Sequence, residues 1–234
     1  MRVGIICAGD REVAPFLPLI SDCKITEKAM LKFHEGTIKG VDVVVLFSGV
    51  CKVNAAIATQ ILIDTYQVNK IINAGTAGGM DSKLEIGDTV IATEVAYHDV
   101  ASNILTEFHP WLESVFFQSD QELLSLTKKA VDKLPKNNQV FYGRMVTGEA
   151  FITDEGRQKI QEQFEPLTVD METASVAHVC YVNRIPFIAI RSITDTATHS
   201  GSENFEKNCE MASGIAKDIT VALLRELHMG HDFI

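Results

Sequence analysis

Short apolar runs that stop abruptly at Gly, Ser or Asp recur along the chain, with stretches of helical spacing between them. The runs cover residues 3–8, 41–47 (VDVVVLF), 70–74, 89–95 (TVIATEV), 139–146, 167–169 and 186–190 (PFIAI). They are rich in Val and Ile and do not alternate with polar residues, the pattern of strands covered on both faces. Segments 53–66, 121–134 and 173–183 place apolar residues at helical spacing, as does 203–227 with Ser202 as its N-cap. Strands alternating with helices predict an α/β fold, a mixed, largely parallel twisted sheet flanked by helices. No linker, low-complexity tract or internal repeat divides the 234 residues, so residues 1–234 are expected to form a single domain. Segment 97–119, which holds Pro110 and Trp111, reads as a long loop of the kind that shapes a site or an interface.

Charge narrows the partners. The formal net charge of −10 opposes binding to a phosphate backbone or an anionic membrane, and no Lys/Arg cluster offsets it. No apolar stretch reaches the ~18 residues of a membrane span. The cysteines Cys7, Cys23, Cys51, Cys180 and Cys209 are odd in number and scattered, which reads as reduced thiols. No Cys/His pair has zinc-like spacing, so no metal is expected. The chain enters its first strand without a charged leader and apolar core, so a cytoplasmic location is expected.

In open α/β sheets, sites form beyond the carboxyl ends of the strands. Segments 9–12, 48–52, 75–79, 149–152, 170–172 and 191–195 occupy those places and supply Glu12, Asp170, Glu172, Arg191 and Asp195. A phosphate site needs backbone N–H nests, Lys or Arg. Cleavage of a glycosidic bond needs acids and bases around a cationic sugar, and this set is of the second kind. The Gly75-Thr76-Ala77-Gly78-Gly79 turn is neither GxGxxG nor a P-loop, so no nucleotide cofactor is expected. Such a turn lets backbone approach a flat ligand closely. Taken singly, each residue has a plainer reading. Glu12 fits a first-turn helix acid, Asp195 a turn or cap residue, Arg191 an ion-pair partner, and Phe151 and Phe205 core aromatics. Only their grouping at strand ends favours a site.

The motifs in order are Val3-Gly4-Ile5-Ile6 leading to Glu12-Val13, Ser48-Gly49-Val50-Cys51-Lys52-Val53, Ile72-Asn73-Ala74 with the glycine turn, Glu149-Ala150-Phe151-Ile152, Val169-Asp170-Met171-Glu172 and Arg191-Ser192-Ile193-Thr194-Asp195. Together, over nearly the whole chain, they resemble the bacterial 5′-methylthioadenosine/S-adenosylhomocysteine nucleosidases of the purine nucleoside phosphorylase superfamily. The resemblance implies that Glu12 activates water and that Asp195 protonates or hydrogen-bonds N7 of the departing adenine. It implies that Met171 and Glu172 hold the ribose, with Arg191 behind them. Phe151 would stack on adenine, the Ile152 backbone would meet the purine edge, and Phe205 would sit on the lid side. Thr76 stands where the family usually has Ser, and Gly78 belongs to the same substrate-binding stretch. Val50, His109 and Pro110 would contribute to the 5′ pocket and to a homodimer interface.

The resemblance further implies adenine release by water, without a cofactor, and a place in methionine salvage. Superfamily phosphorylases resemble Gly-Asp-Pro-x-Arg in the first loop and carry an Arg beside the glycine turn. Here the first loop is Gly9-Asp10-Arg11-Glu12, and Asn73 precedes Ala74-Gly75. A carboxylate in place of the phosphate site suits water. The sequence departs from the family after Tyr97-His98-Asp99, and at Gly9 and Cys51, which replace a more usual Met and Gly. These regions bear on the 5′ substituent, so 5′-deoxyadenosine and aminodeoxyfutalosine stand beside the thio-nucleosides as substrates. The alternatives are a phosphate-dependent phosphorylase and a nucleoside-binding module without turnover.

Overall fold

The computed structural model describes residues 1–108, 112–135, 137–199 and 201–231. The chain starts with β1 (Arg2–Cys7), α1 (Asp10–Val13), β2 (Ser21–Lys28), β3 (Leu31–Ile38), β4 (Val41–Phe47) and α2 (Lys52–Asp64). It continues through β5 (Lys70–Gly79), β6 (Thr89–Tyr97), α3 (Ser102–Glu107), β7 (Phe117–Gln118) and α4 (Gln121–Asp132). It ends with β8 (Val140–Thr147), α5 (Asp154–Phe164), β9 (Thr168–Asp170), α6 (Thr173–Asn183), β10 (Phe187–Asp195) and α7 (Ser202–His231).

The strands form one mixed sheet ordered β10-β6-β8-β9-β5-β1-β4-β3-β2. The parallel set β4-β1-β5-β10 lies at its centre. The sheet also closes on itself, because β10 pairs with β5 as well as with β6. Helices cover both faces. Ala58 and Leu62 of α2 pack with Val176 and Cys180 of α6 against Ile6, Leu46 and Ile71. Leu123 of α4 and Ile219 and Leu223 of α7 pack against Ile5, Val45 and Ile72. Burial on two faces is why these strands carry unbroken apolar runs.

Four expectations about local structure change. Residues 75–79 are not a turn: β5 runs on through Gly79, paired to β10 and β9. Residues 191–195 likewise continue β10 rather than follow it, and Arg191, Ser192 and Thr194 are buried. Pairing to β5 through Asp195, and to β6 at Arg191 and Ser192, keeps this polar run extended, satisfying backbone groups that a loop would leave open. Segment 97–119 is not one long loop, since α3 and β7 lie within it. Ser202 is the first residue of α7 rather than its cap. The β2–β3 hairpin is absent from the apolar pattern because β2 is almost wholly exposed. Its turn, Ala29-Met30, and the next, Lys39-Gly40, have positive φ at both central residues, the two-residue geometry that follows strand twist.

Candidate active site

A cavity of about 370 Å³ opens at the carboxyl ends of β1, β5, β9 and β10, within the range of small-molecule sites. Its wall includes Glu12, Gly78, Met171, Glu172 and Asp195. Asp195 reaches it through an irregularity in β10. The register against β5 shifts between Ile193 and Asp195, so that Asp195 faces Gly78. Such a bulge re-aims a side chain at a site. Gly78 leaves the room, because a Cβ there would lie 3.1 Å from Asp195 Oδ2. Burial pushes the Asp195 carboxyl above the usual carboxylate range, opposed by the hydrogen bond donated by the Thr194 hydroxyl and by the charge of Arg157. Burial makes the neutral, donor-capable form of the acid easier to reach there than in water.

Glu12 lies in the short helix after β1 and is 5% exposed. Four donors converge on it. Oε2 accepts from the backbone N–H of Ala8 at 2.6 Å and of Gly9 at 3.2 Å. Oε1 accepts from the Thr76 N–H at 2.6 Å and the Thr76 hydroxyl at 2.8 Å. This is an acceptor-only arrangement, the hydrogen-bonding pattern of a carboxylate. Gly75 permits it, since a Cβ at that position would be 2.5 Å from Oε1.

Arg191 is fully buried and lies behind the cavity wall rather than on it. Its guanidinium stands 3.7 Å from Glu12, 3.3 Å from Asp170 and 3.5 Å from Glu172. Asn73 accepts from it at 2.9 Å, the Thr173 hydroxyl at 3.1 Å and the Thr76 carbonyl at 3.3 Å. One cation therefore organises three carboxylates. Asp170 also accepts from the Thr147 hydroxyl at 2.6 Å and from the N–H groups of Glu172 and Thr173, which fixes the start of α6. Burial pushes the Glu172 carboxyl up to about 7, against the pull of Arg191.

The other oxygen of Glu172 accepts from the Cys51 backbone N–H at 2.9 Å. Cys51 adopts φ 81 and ψ 164, a conformation essentially confined to Gly. The strain holds its amide toward Glu172. Cys51→Gly should therefore raise the free energy of unfolding by about 1 kcal/mol, after the entropy gained by the unfolded chain is subtracted. A denaturant midpoint that falls would refute the strain. Beside this loop, Lys52 bridges Asp99 at 2.9 Å while Asp99 accepts from the Glu149 N–H at 2.9 Å, tying the segments next to Val50 and Ala150 together.

Phe151 and Phe205 meet edge to face at 6.3 Å and border the cavity with Ile152, so the two aromatics form a shared wall rather than separate core residues. Val50 also borders it and is half exposed. Thr76 borders it too, but its side chain is spent on Glu12. His109 and Pro110 lie outside the described residues. Sequence reasoning assigned no role to Asn73, Asp170, Thr147 or Thr173. Asp170 carried a signal as a strand-end carboxylate, and Asn73 as the residue found beside the glycine turn where phosphorylases carry an Arg. The others are neutral residues whose value lies in contacts across the sheet.

Residues 2–225 match the family model described as the phosphorylase superfamily. A 5′-methylthioadenosine/S-adenosylhomocysteine nucleosidase from Colwellia psychrerythraea is 37% identical, covering 97% of this chain and 97% of that protein. A solved structure of a nucleosidase of that name and organism, in complex with adenine, superposes with a TM-score of 0.89 at 36% identity over 97% of this chain and 96% of that one. The nucleosidase from Neisseria meningitidis in complex with methylthio-immucillin-A gives a TM-score of 0.88 at 29% identity, covering 96% and 98%. A futalosine hydrolase from Helicobacter pylori gives 0.87 at 25% identity, covering 97% and 98%. Fold, ordered motifs and similarity over nearly its whole length agree, and the chain belongs to the phosphorylase superfamily, within it to the 5′-methylthioadenosine/S-adenosylhomocysteine nucleosidases.

Proposed function

We propose that residues 1–234 act as one nucleosidase domain that hydrolyses the N-glycosidic bond of 5′-methylthioadenosine and S-adenosylhomocysteine and releases adenine. The observation that carries this reading is the pair Glu12 and Asp195, two carboxyl groups of unlike environment bordering one cavity. Breaking the bond leaves positive charge on the ribose and negative charge on the purine. Asp195, whose proton affinity is raised by burial, gives a proton to N7. Glu12 accepts a proton from the water that attacks the anomeric carbon and stabilises the cationic sugar. Glu172 and Met171 hold the ribose, Phe151 stacks on adenine, Ile152 meets the purine edge and Phe205 closes the lid side.

Water is the acceptor in this reading. The buried Arg191 is surrounded by three carboxylates and is not available to phosphate, and the exposed Arg11 has the Glu206 carboxylate beside it, whose charge opposes an anion that brings no cation of its own. The amide of Asn73 donates to the Ile6 carbonyl at 2.9 Å and its oxygen faces Arg191, so the side chain at this position is committed to the protein. Adenine release from 5′-methylthioadenosine and S-adenosylhomocysteine is expected to be undiminished in phosphate-free buffer. Turnover that requires phosphate would make the chain a phosphorylase, and binding without adenine release would make it a binding module.

The reading extends to a homodimer acting in the cytoplasm, in methionine salvage. Exposed Val50, Val53 and Ile57 at and within α2, and Tyr181 and Val182 of α6, the helix packed against it, are apolar side chains that a second copy could cover. The five free cysteines agree with a reducing compartment. No helix among the described residues is long and apolar enough to cross a membrane.

A further inference from the structure

Arg11 of α1 and Glu206 of α7 are ion-paired across the mouth of the cavity. Their side chains remain half exposed, at 51% and 58%. Both border the cavity, together with Gly9, Val50 and Cys209. Their place along the ligand path follows from their neighbours. Asp195, Gly78 and Phe151 bound the end assigned to adenine, and Glu12 stands at the sugar. Arg11 immediately precedes Glu12 in α1, and its side chain is half exposed. Val50, which the family resemblance assigns to the 5′ pocket, borders the same cavity as the pair.

An ion pair this exposed contributes little to stability, because water screens it and ordering two long side chains costs entropy. It does set one fixed cation and one fixed anion side by side at an open rim. S-adenosylhomocysteine ends in an α-carboxylate and an α-ammonium on one carbon, a dipole of matching size and opposite sense. The methylthio group of 5′-methylthioadenosine carries neither charge.

We propose that Arg11 and Glu206 form a recognition pair for the amino-acid tail of S-adenosylhomocysteine, the guanidinium taking the α-carboxylate and the Glu206 carboxylate the α-ammonium. The inference rests on the nucleosidase reading. When the tail arrives, the mutual contact of the pair is exchanged for two contacts to ligand, each between opposite charges. Guanidinium and carboxylate present the forked geometry that makes such contacts directional. The pair thus sets preference among 5′ substituents without touching the reacting atoms.

The test compares kcat/KM for S-adenosylhomocysteine with kcat/KM for 5′-methylthioadenosine in the parent enzyme, Arg11→Gln and Glu206→Gln. The ratio of the two is expected to fall about tenfold in each variant, the loss of one charge-assisted contact. A third substrate, 5′-(3-carboxypropylthio)adenosine, lacks the ammonium. Its ratio to 5′-methylthioadenosine should fall in Arg11→Gln and not in Glu206→Gln. An unchanged ratio in both variants would overturn the proposal. So would an equal fall on all substrates, since the pair would then be a latch between α1 and α7. Failure of the parent to release adenine from either natural substrate is a different result, and refutes the nucleosidase reading instead.

Discussion

Asp195→Asn is expected to lower kcat for 5′-methylthioadenosine by about a thousandfold, within the range of a lost general acid. Asn keeps the shape and can still donate one hydrogen bond to N7, so substrate binding should change far less than turnover. It cannot transfer a proton, so adenine must leave as an anion. The pH dependence follows from the raised carboxyl. The parent acts while Asp195 holds its proton and should lose activity as pH rises through that raised value. Stability has the same sign. A buried acid whose pKa is raised by folding favours the folded state most at low pH, and that contribution declines as pH rises through the folded value. Asn carries no charge to bury, so Asp195→Asn should gain stability relative to the parent on the alkaline side. Steady-state adenine release and melting temperature, each followed against pH, check both statements. An Asn variant with near-parental turnover would remove Asp195 from the role of acid.

The sequence made the central architecture readable because buried parallel strands have a one-sided solution: Val- and Ile-rich runs stopped by glycine or acid. Residues 3–8 and 41–47 fall on β1 and β4 within a residue. It failed where burial and polarity part company. Arg191-Ser192-Ile193-Thr194-Asp195 looks like a loop but is paired to β5 through Asp195 and to β6 at Arg191 and Ser192, and its Arg is balanced by three carboxylates from two other segments. That balance is a property of the closed sheet and leaves no periodic trace. The β2–β3 hairpin failed for the opposite reason. Its outer strand buries almost nothing, so hydrophobic spacing has nothing to report. Glu12 and Asp195 were legible as acids at strand ends. The donors that hold Glu12 are mostly backbone N–H groups, which every residue possesses and no sequence motif marks.

Those donors make Glu12→Gln the most damaging single change expected at this site. The Ala8 N–H faces one carboxylate oxygen and the Thr76 N–H faces the other, both at 2.6 Å. A Gln amide must turn its own NH₂ toward one of them, and flipping it only moves the clash to the other side. The Thr76 hydroxyl can rotate to accept, but a backbone N–H cannot. The variant should lose about 1–3 kcal/mol of stability through the unpaired buried donor. It should also lose kcat by about a thousandfold or more, since no base remains to take the proton of water. Gly75→Ala separates chemistry from the missing charge. It keeps the carboxylate but places a methyl 2.5 Å from Glu12 Oε1 and 2.7 Å from Arg191 Nη1, in a fully buried pairing that must shift. Displacement on the order of 1 Å costs about a hundredfold in rate. Single-turnover adenine release, measured with denaturant melts of both variants, provides the comparison. If Glu12→Gln retains more than about a tenth of the parental rate, the base lies elsewhere. If Gly75→Ala matches the parent, Glu12 tolerates displacement and the preorganised carboxylate is not what drives hydrolysis.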